Sequence, residues 1–218
     1  MKIKAAIFDM DGTLVDSLML WDVLWAEFGR RFAGDGSFRP RPEDDKAVRT
    51  MLLSDAMELI HRNSGFGQSG AVLLDAANEM MEDFYANRVE LKPGVRQFLD
   101  HLRENGTRMC IASATEKRLV QIAMQHCGLD PYFEKLFSCG DVGKGKDQPD
   151  VFLLAQQFLG APVEETWLFE DSLVAIQTAA GIGMRTTAIY DRYNFGQEQM
   201  KKIADFYVAE GEKLTKLM

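Results

Sequence analysis

Phe8-Asp9-Met10-Asp11-Gly12-Thr13-Leu14-Val15-Asp16-Ser17 is the stretch on which the fold of this 218-residue chain turns. Ahead of it, Lys2 to Phe8 is a short apolar run that reads as a buried strand, stopped by Asp-x-Asp-Gly in a tight turn. Two acids directly after a strand place charge at its carboxyl end. In an open parallel sheet that end is where ligands bind.

The rest of the chain says whether such a sheet exists. From about Leu18 the apolar period becomes helical, with Trp21, Leu24, Trp25, Phe28 and Phe32 on one stripe that Gly34-Asp35-Gly36 ends. Pro42, Glu43, Asp44 and Asp45 make a good helix start, and Val48, Met51, Leu52, Leu59 and Ile60 continue that second helix. A loop from Gly65 to Gly70 precedes a third, marked by Leu73, Ala77, Met80 and Phe84. Beyond Lys92-Pro93-Gly94 the pattern alternates. A helix over Val95–Leu102 stops at Asn105-Gly106. Strands are predicted over Met109–Ala112, Leu136–Phe137, Thr166–Phe169, Arg185–Ile189 and Ala204–Ala209, with helices over Leu119–Met124, Val151–Leu159 and Val174–Ala180. Alternation of this kind implies a parallel sheet covered on both faces. The expected fold is therefore α/β: a doubly wound, Rossmann-like core from residues 1–16 and 89–218, with residues 17–88 inserted as an all-helical unit.

That topology turns the search for chemistry into a test of the residues past each strand. Asp9, Asp11, Gly12 and Thr13 follow the first strand; Ser113, Ala114 and Thr115 the second; Glu170, Asp171 and Ser172 the fourth. The segment Gly140-Asp141-Val142-Gly143-Lys144-Gly145-Lys146 follows the third. Any one of these acids reads as a turn or cap residue, and Ser113 as an N-cap. As a set they crowd carboxylates together, which is costly unless a cation intervenes. Hard oxygen ligands of this kind suit Mg²⁺ with a substrate phosphate.

Residues Phe8 to Ser17 closely resemble the signature of the haloacid dehalogenase superfamily, and the resemblance extends over essentially the whole chain. Ser113 is similar to the family's second-motif phosphate ligand, Lys146-x-x-Pro149-Asp150 to its third motif, and Glu170-Asp171-Ser172 to its fourth. The helical insertion matches the family's small cap, as in its phosphatases and the β-phosphoglucomutase-like branch. The resemblance implies a Mg²⁺-dependent phosphatase acting on a small phosphorylated metabolite such as a sugar phosphate. Asp9 would be the nucleophile that forms an aspartyl phosphate, and Asp11 the general acid and base. Asp9, the Asp11 carbonyl and Asp171 would hold Mg²⁺, with Glu170 assisting. Ser113 and backbone N–H groups near it, at Ala114, would bind phosphoryl oxygens, and Lys146 would neutralise charge on Asp9 and the phosphate. Asp147 and Ala175 depart from the family's usual Pro and Gly. Lys144 competes with Lys146, and the count back from Pro149-Asp150 favours Lys146.

Rival readings differ by single residues. Gly140-x₄-Gly145-Lys146 is nearly a P-loop, but Asp147 stands where Ser or Thr would hold Mg²⁺. A calcium loop starting at Asp9 fails at its twelfth position, Leu20. Within the superfamily, Asp11 argues against the dehalogenase and phosphonatase branches, which lack that carboxylate. Sugar phosphomutases share it and are the main alternative; Trp21 stands where their cap usually offers His. A catalytically silent phosphate-binding module is the remaining one.

Composition is that of an ordinary globular chain, with enough length for one substantial core and a smaller appended unit. With 25 Lys and Arg against 33 Asp and Glu, net charge is −8, which argues against a nucleic-acid partner. No apolar run is long enough for a membrane span, and the N-terminus does not read as a signal peptide. Cys110, Cys127 and Cys139 are odd in number and separated, as expected of reduced thiols in the cytoplasm. A monomer suits a mechanism in which a cap opens and closes. In the cap, Trp21, Trp25 and Phe28 are candidates for the pocket lining, with Trp25 and Phe28 read first as packing stripe. Arg39, Arg41, Lys46 and Arg49 read as a solvated face, with a contact to an anionic substrate as the alternative. His61, His101 and His126 follow no site pattern.

Overall fold

The computed structural model describes residues 3–49 and 51–218. The expected strand start at Lys2 lies outside them, as do Met1 of the predicted core and Thr50 of the insertion. Strand β1, Ala5–Phe8, is buried throughout. Next come two short strands that form a ribbon separate from the main sheet, β2 (Val15–Asp16) and β3 (Glu90–Leu91). Strands β4 (Arg108–Ser113), β5 (Lys135–Ser138), β6 (Thr166–Glu170), β7 (Arg185–Ile189) and β8 (Phe206–Val208) complete the set. With β1 they form a six-stranded, all-parallel sheet in the order β5-β4-β1-β6-β7-β8. Counting only these six, the order is 3-2-1-4-5-6, the doubly wound arrangement expected, and its switch point lies beside β1.

Strand periodicity divides the core. Ala6 and Phe8 face one apolar cluster, Ala5 and Ile7 the other. Phe8 stacks on Phe169 at 4.4 Å between centroids and meets Phe98 edge-on at 6.4 Å. Burying one such side chain contributes roughly 1.5–3 kcal/mol.

The insertion consists of helices α1 (Leu20–Phe28), α2 (Pro42–Val48), α3 (Leu53–Ser64) and α4 (Gly70–Asn87), with its own apolar cluster around Trp25, Phe28, Met57 and Leu73. Helices α5 (Val95–Glu104) and α6 (Lys117–Cys127) cover the Phe8 face. After the short α7 (Cys139–Val142), α8 (Asp150–Leu159) and α9 (Leu173–Gly181) cover the Ile7 face. Helix α10 (Gln197–Ile203) leads into β8. No helix among the described residues is long and apolar enough to cross a membrane.

Three features depart from the sequence reading. The second helix is two: α2 ends at Val48 and α3 begins after Leu52, whose backbone is extended. Leu52 satisfies the helical spacing, yet it packs against the core cluster under α8, so the stripe hides a break. A π-helical turn, Gly29–Ala33, prolongs α1. The β2–β3 ribbon joins both connections between core and insertion, with Val15 opposite Leu91; two-residue strands carry no period to read.

Candidate active site

The sheet register builds the site. Phe8 pairs with Ile111 on one side and Phe169 on the other, so Asp9 emerges between the ends of β4 and β6. Its N–H donates to Phe169 O at 2.9 Å. Gly12 lets the following turn close: its φ is +74°, and a Cβ there would lie 2.2 Å from Asp171 Oδ2. The space a side chain would fill is occupied by the Asp171 carboxylate.

Lys146 is buried and its Nζ bonds both Asp9 Oδ1 and, at 2.6 Å, Glu170 Oε1. Lys144 instead pairs with Asp150 at 2.7 Å on the surface. Glu170 Oε2 accepts the N–H groups of Asp171 (2.6 Å) and Ser172 (2.7 Å). Asp171 is held by neutral donors: Thr13 Oγ1 to Oδ1 at 2.9 Å, and Asn194 Nδ2 to Oδ2 at 2.5 Å and to its main-chain O at 3.0 Å. Burial pushes the Asp9 carboxyl up to about 8, against the pull of Lys146 and with the push of Glu170 and Asp11. Burial, then Glu170 and Asp9, also raises Asp171 well above the ordinary carboxylate range. Burial alone would lower the Lys146 ammonium; Asp9 and Glu170 more than reverse that and raise it.

Asp9, Glu170 and Asp171 each place an oxygen within 4.8 Å of the others. One lysine faces these three buried carboxylates, so a second cation is what the cluster lacks. An all-oxygen donor set of this kind fits a hard divalent ion.

Asp11 stands half-buried beside this cluster. Its Oδ1 accepts Ser17 Oγ (2.6 Å) and Tyr85 OH (2.7 Å), and its Oδ2 accepts Thr115 Oγ1 (2.8 Å). Ser113, at the end of β4, is buried, and its Oγ accepts the Thr115 N–H at 3.1 Å. One cleft is lined by Asp9, Asp11, Ser113, Ala114, Lys146, Glu170 and Asp171, so every predicted site residue meets there.

The insertion forms the opposite wall, including Trp21, Arg49 and Tyr85. Trp25 and Phe28 are buried in the insertion's own core, as the packing reading expects, whereas Trp21 lines the cleft. Arg49 overturns the solvated-face expectation. Its side chain is 6% exposed, forked onto Asp45 through Nε and Nη2, and 5.9 Å from the Trp21 ring. Its Nη1 is buried with no partner among the described residues. The α2–α3 break, which the sequence reading passed over, comes directly after it. Asn194 and Tyr85 were not foreseen. Asn194 stands in the loop between β7 and α10, at the strand ends where the other site residues gather; nothing local marks Tyr85, a residue of helix α4.

Residues 3–183 match the family of haloacid dehalogenase-like hydrolases. The chain belongs to this family. CbbY of Rhodobacter capsulatus is 29% identical over 207 residues, 91% of this chain and 90% of that protein. A phosphorylated carbohydrates phosphatase of Thermotoga maritima is 25% identical over 189 residues, 83% of this chain and 82% of that one. Among solved structures, CbbY of Rhodobacter sphaeroides superposes with a TM-score of 0.82 at 24% identity, covering 99% of both chains. Core and cap are thus those of the family, and the hydrolase class expected from the motifs holds. The chain is a phosphatase of this family.

Proposed function

We propose that the chain hydrolyses a phosphomonoester through an aspartyl phosphate on Asp9, and that its substrate carries a second anionic group. The observation that supports the first part is the buried set of Asp9, Lys146, Glu170 and Asp171 at the switch point of the sheet. An Asp9 oxygen attacks phosphorus as the bond to the leaving oxygen breaks, and Asp11 gives that oxygen a proton. Asp11 then takes a proton from water, which attacks phosphorus, frees the Asp9 carboxylate and releases phosphate. Lys146 pulls the buried Asp9 carboxyl toward the ionised form that attacks, Glu170 fixes Lys146, and Ser113 with the Ala114 region binds phosphoryl oxygens. Asp9, the Asp11 carbonyl and Asp171 would hold Mg²⁺, with Glu170 anchoring the site. When bound, the ion supplies further positive charge against the phosphoryl oxygens.

Arg49 supports the second part. An unpartnered guanidinium nitrogen on the cap wall suits a distal phosphate or carboxylate. CbbY of Rhodobacter sphaeroides has been solved with xylulose-(1,5)bisphosphate, a ligand of that kind. Among the described residues, no histidine lines the cleft.

The test is phosphate release, with and without Mg²⁺, from sugar phosphates, sugar bisphosphates, phosphoglycolate and nucleoside monophosphates, with an assay for isomerisation of glucose 1-phosphate alongside. Mg²⁺-dependent release that vanishes in Asp9→Asn is the expected result. Activity surviving that substitution would remove Asp9 from the mechanism, and isomerisation without release would reassign the enzyme as a mutase.

A further inference from the structure

We infer that Asn194 is a positioning residue for the metal ligand Asp171, and that it ties this ligand to the hinge of the cap. The inference rests on the metal site proposed above. Asp171 is the one carboxylate of the buried cluster that Lys146 does not contact. Its orientation therefore depends on neutral donors. Asn194 spends its side-chain amide on Asp171, through bonds to the main-chain oxygen and to Oδ2. Gripping the backbone and the carboxylate of one residue at once fixes the side-chain torsion between them. Thr13 alone, on Oδ1, would leave the carboxylate free to swing about that contact.

Asn194 is itself held from behind. Its N–H donates to Asp191 O at 3.1 Å, and Gln197 Nε2 donates to the carbonyls of Asn194 (3.3 Å) and Asp191 (2.9 Å). Tyr207 OH on β8 fixes Gln197 in turn at 2.8 Å. Asp191 forms a buried ion pair with Lys92 at 2.8 Å, and Lys92 also donates to Tyr190 O at 3.0 Å. Lys92 directly follows β3, the strand by which the chain returns from the cap, and its own N–H donates to Leu14 O beside β2. One continuous set of polar contacts thus runs from the hinge ribbon to the ligand oxygen. A loop serving only to connect β7 with α10 would not need to end on the acid cluster.

Groups that orient metal ligands typically control affinity by 10–100-fold. The experiment is calorimetric titration of Mg²⁺ into the metal-free 218-residue chain, for the wild type, Asn194→Leu and Gln197→Leu, with a thermal melt of each before metal is added. Asn194→Leu keeps the branched shape and removes both N–H donors; its Mg²⁺ dissociation constant is expected to rise about 10–100-fold. Gln197→Leu should shift it the same way by less. Asn194→Ser replaces Asn194→Leu under the same criterion if the latter fails to fold. Affinity within twofold of wild type, with only a lowered melting temperature, would overturn the inference and leave the metal site standing. A wild type that binds no Mg²⁺ would overturn both.

Discussion

Tyr85 of the cap donates its hydroxyl to Asp11 Oδ1 of the core at 2.7 Å, joining residues 74 positions apart. Tyr85 is fully buried and packs in the same apolar cluster as Phe8 and Phe98, so the contact ties the last helix of the cap to the core. It makes the placement of Asp11 depend on the cap. A hydrogen bond to a charged group contributes about 1.5–3 kcal/mol; Ser17 and Thr115 remain to take up part of the loss. Tyr85→Phe is expected to lower kcat roughly 10-fold or less, with little change in Mg²⁺ affinity. Stopped-time phosphate release across Mg²⁺ concentrations checks this, and an unchanged kcat would deny Tyr85 a part in placing Asp11.

Lys146 is the counter-charge of two buried acids. Removing one partner of a buried ion pair costs about 3–5 kcal/mol, because the remaining charge stays desolvated. Lys146→Met should therefore melt well below wild type in metal-free buffer, recover part of the difference in Mg²⁺, and show greatly reduced phosphate release. Equal melting temperatures without metal would mean that the lysine does not offset those charges.

Much of this site was legible because the sheet does the gathering. Asp9, Ser113, Lys146 and the Glu170-Asp171 pair lie far apart in sequence, but each ends a strand, directly follows one or stands in the loop after one, and a parallel sheet brings those ends to one rim. What escaped reading depends on contacts that no local period records. The β2–β3 ribbon has two residues a side. Leu52 keeps the helical spacing yet packs on the core, which conceals the break after Arg49. Arg49 itself looks like any surface arginine until Asp45 and Trp21 are seen beside it.

The buried acids make a pH prediction. Burial holds the Asp9 carboxyl at about 8 in the metal-free fold, against about 3.9 for an exposed Asp. Below about pH 4 both states keep the proton and the group is silent. Between there and 8 the folded chain retains a proton that the unfolded chain has released, so metal-free stability falls as pH rises. Asp171, raised in the same direction, adds to this. Mg²⁺ replaces those protons, so the rise in melting temperature on adding it should be larger at pH 8 than at pH 5.5. Melts of wild type and Asp9→Asn at both pH values isolate the effect. A Mg²⁺ shift that is the same at both pH values in wild type contradicts it.

Arg49 offers the sharpest test of substrate class. Asp45 occupies Nε and Nη2 of the guanidinium, and Trp25 Nε1 holds Asp45 from the other side at 2.7 Å. The fork is thus oriented before any ligand arrives, which lowers the entropy cost of using the remaining N–H groups on Nη1. A buried donor without a partner is costly, and a distal anion would relieve that cost. Arg49→Lys breaks the fork while keeping the charge, and Arg49→Met removes both. For sugar bisphosphates or phosphoglycolate, KM should rise about 10- to 100-fold in Arg49→Met, the loss expected of a charged hydrogen bond. For p-nitrophenyl phosphate, which has no second anion, kcat/KM should change little. Equal losses on both kinds of substrate would show that Arg49 supports the cap and does not read the substrate.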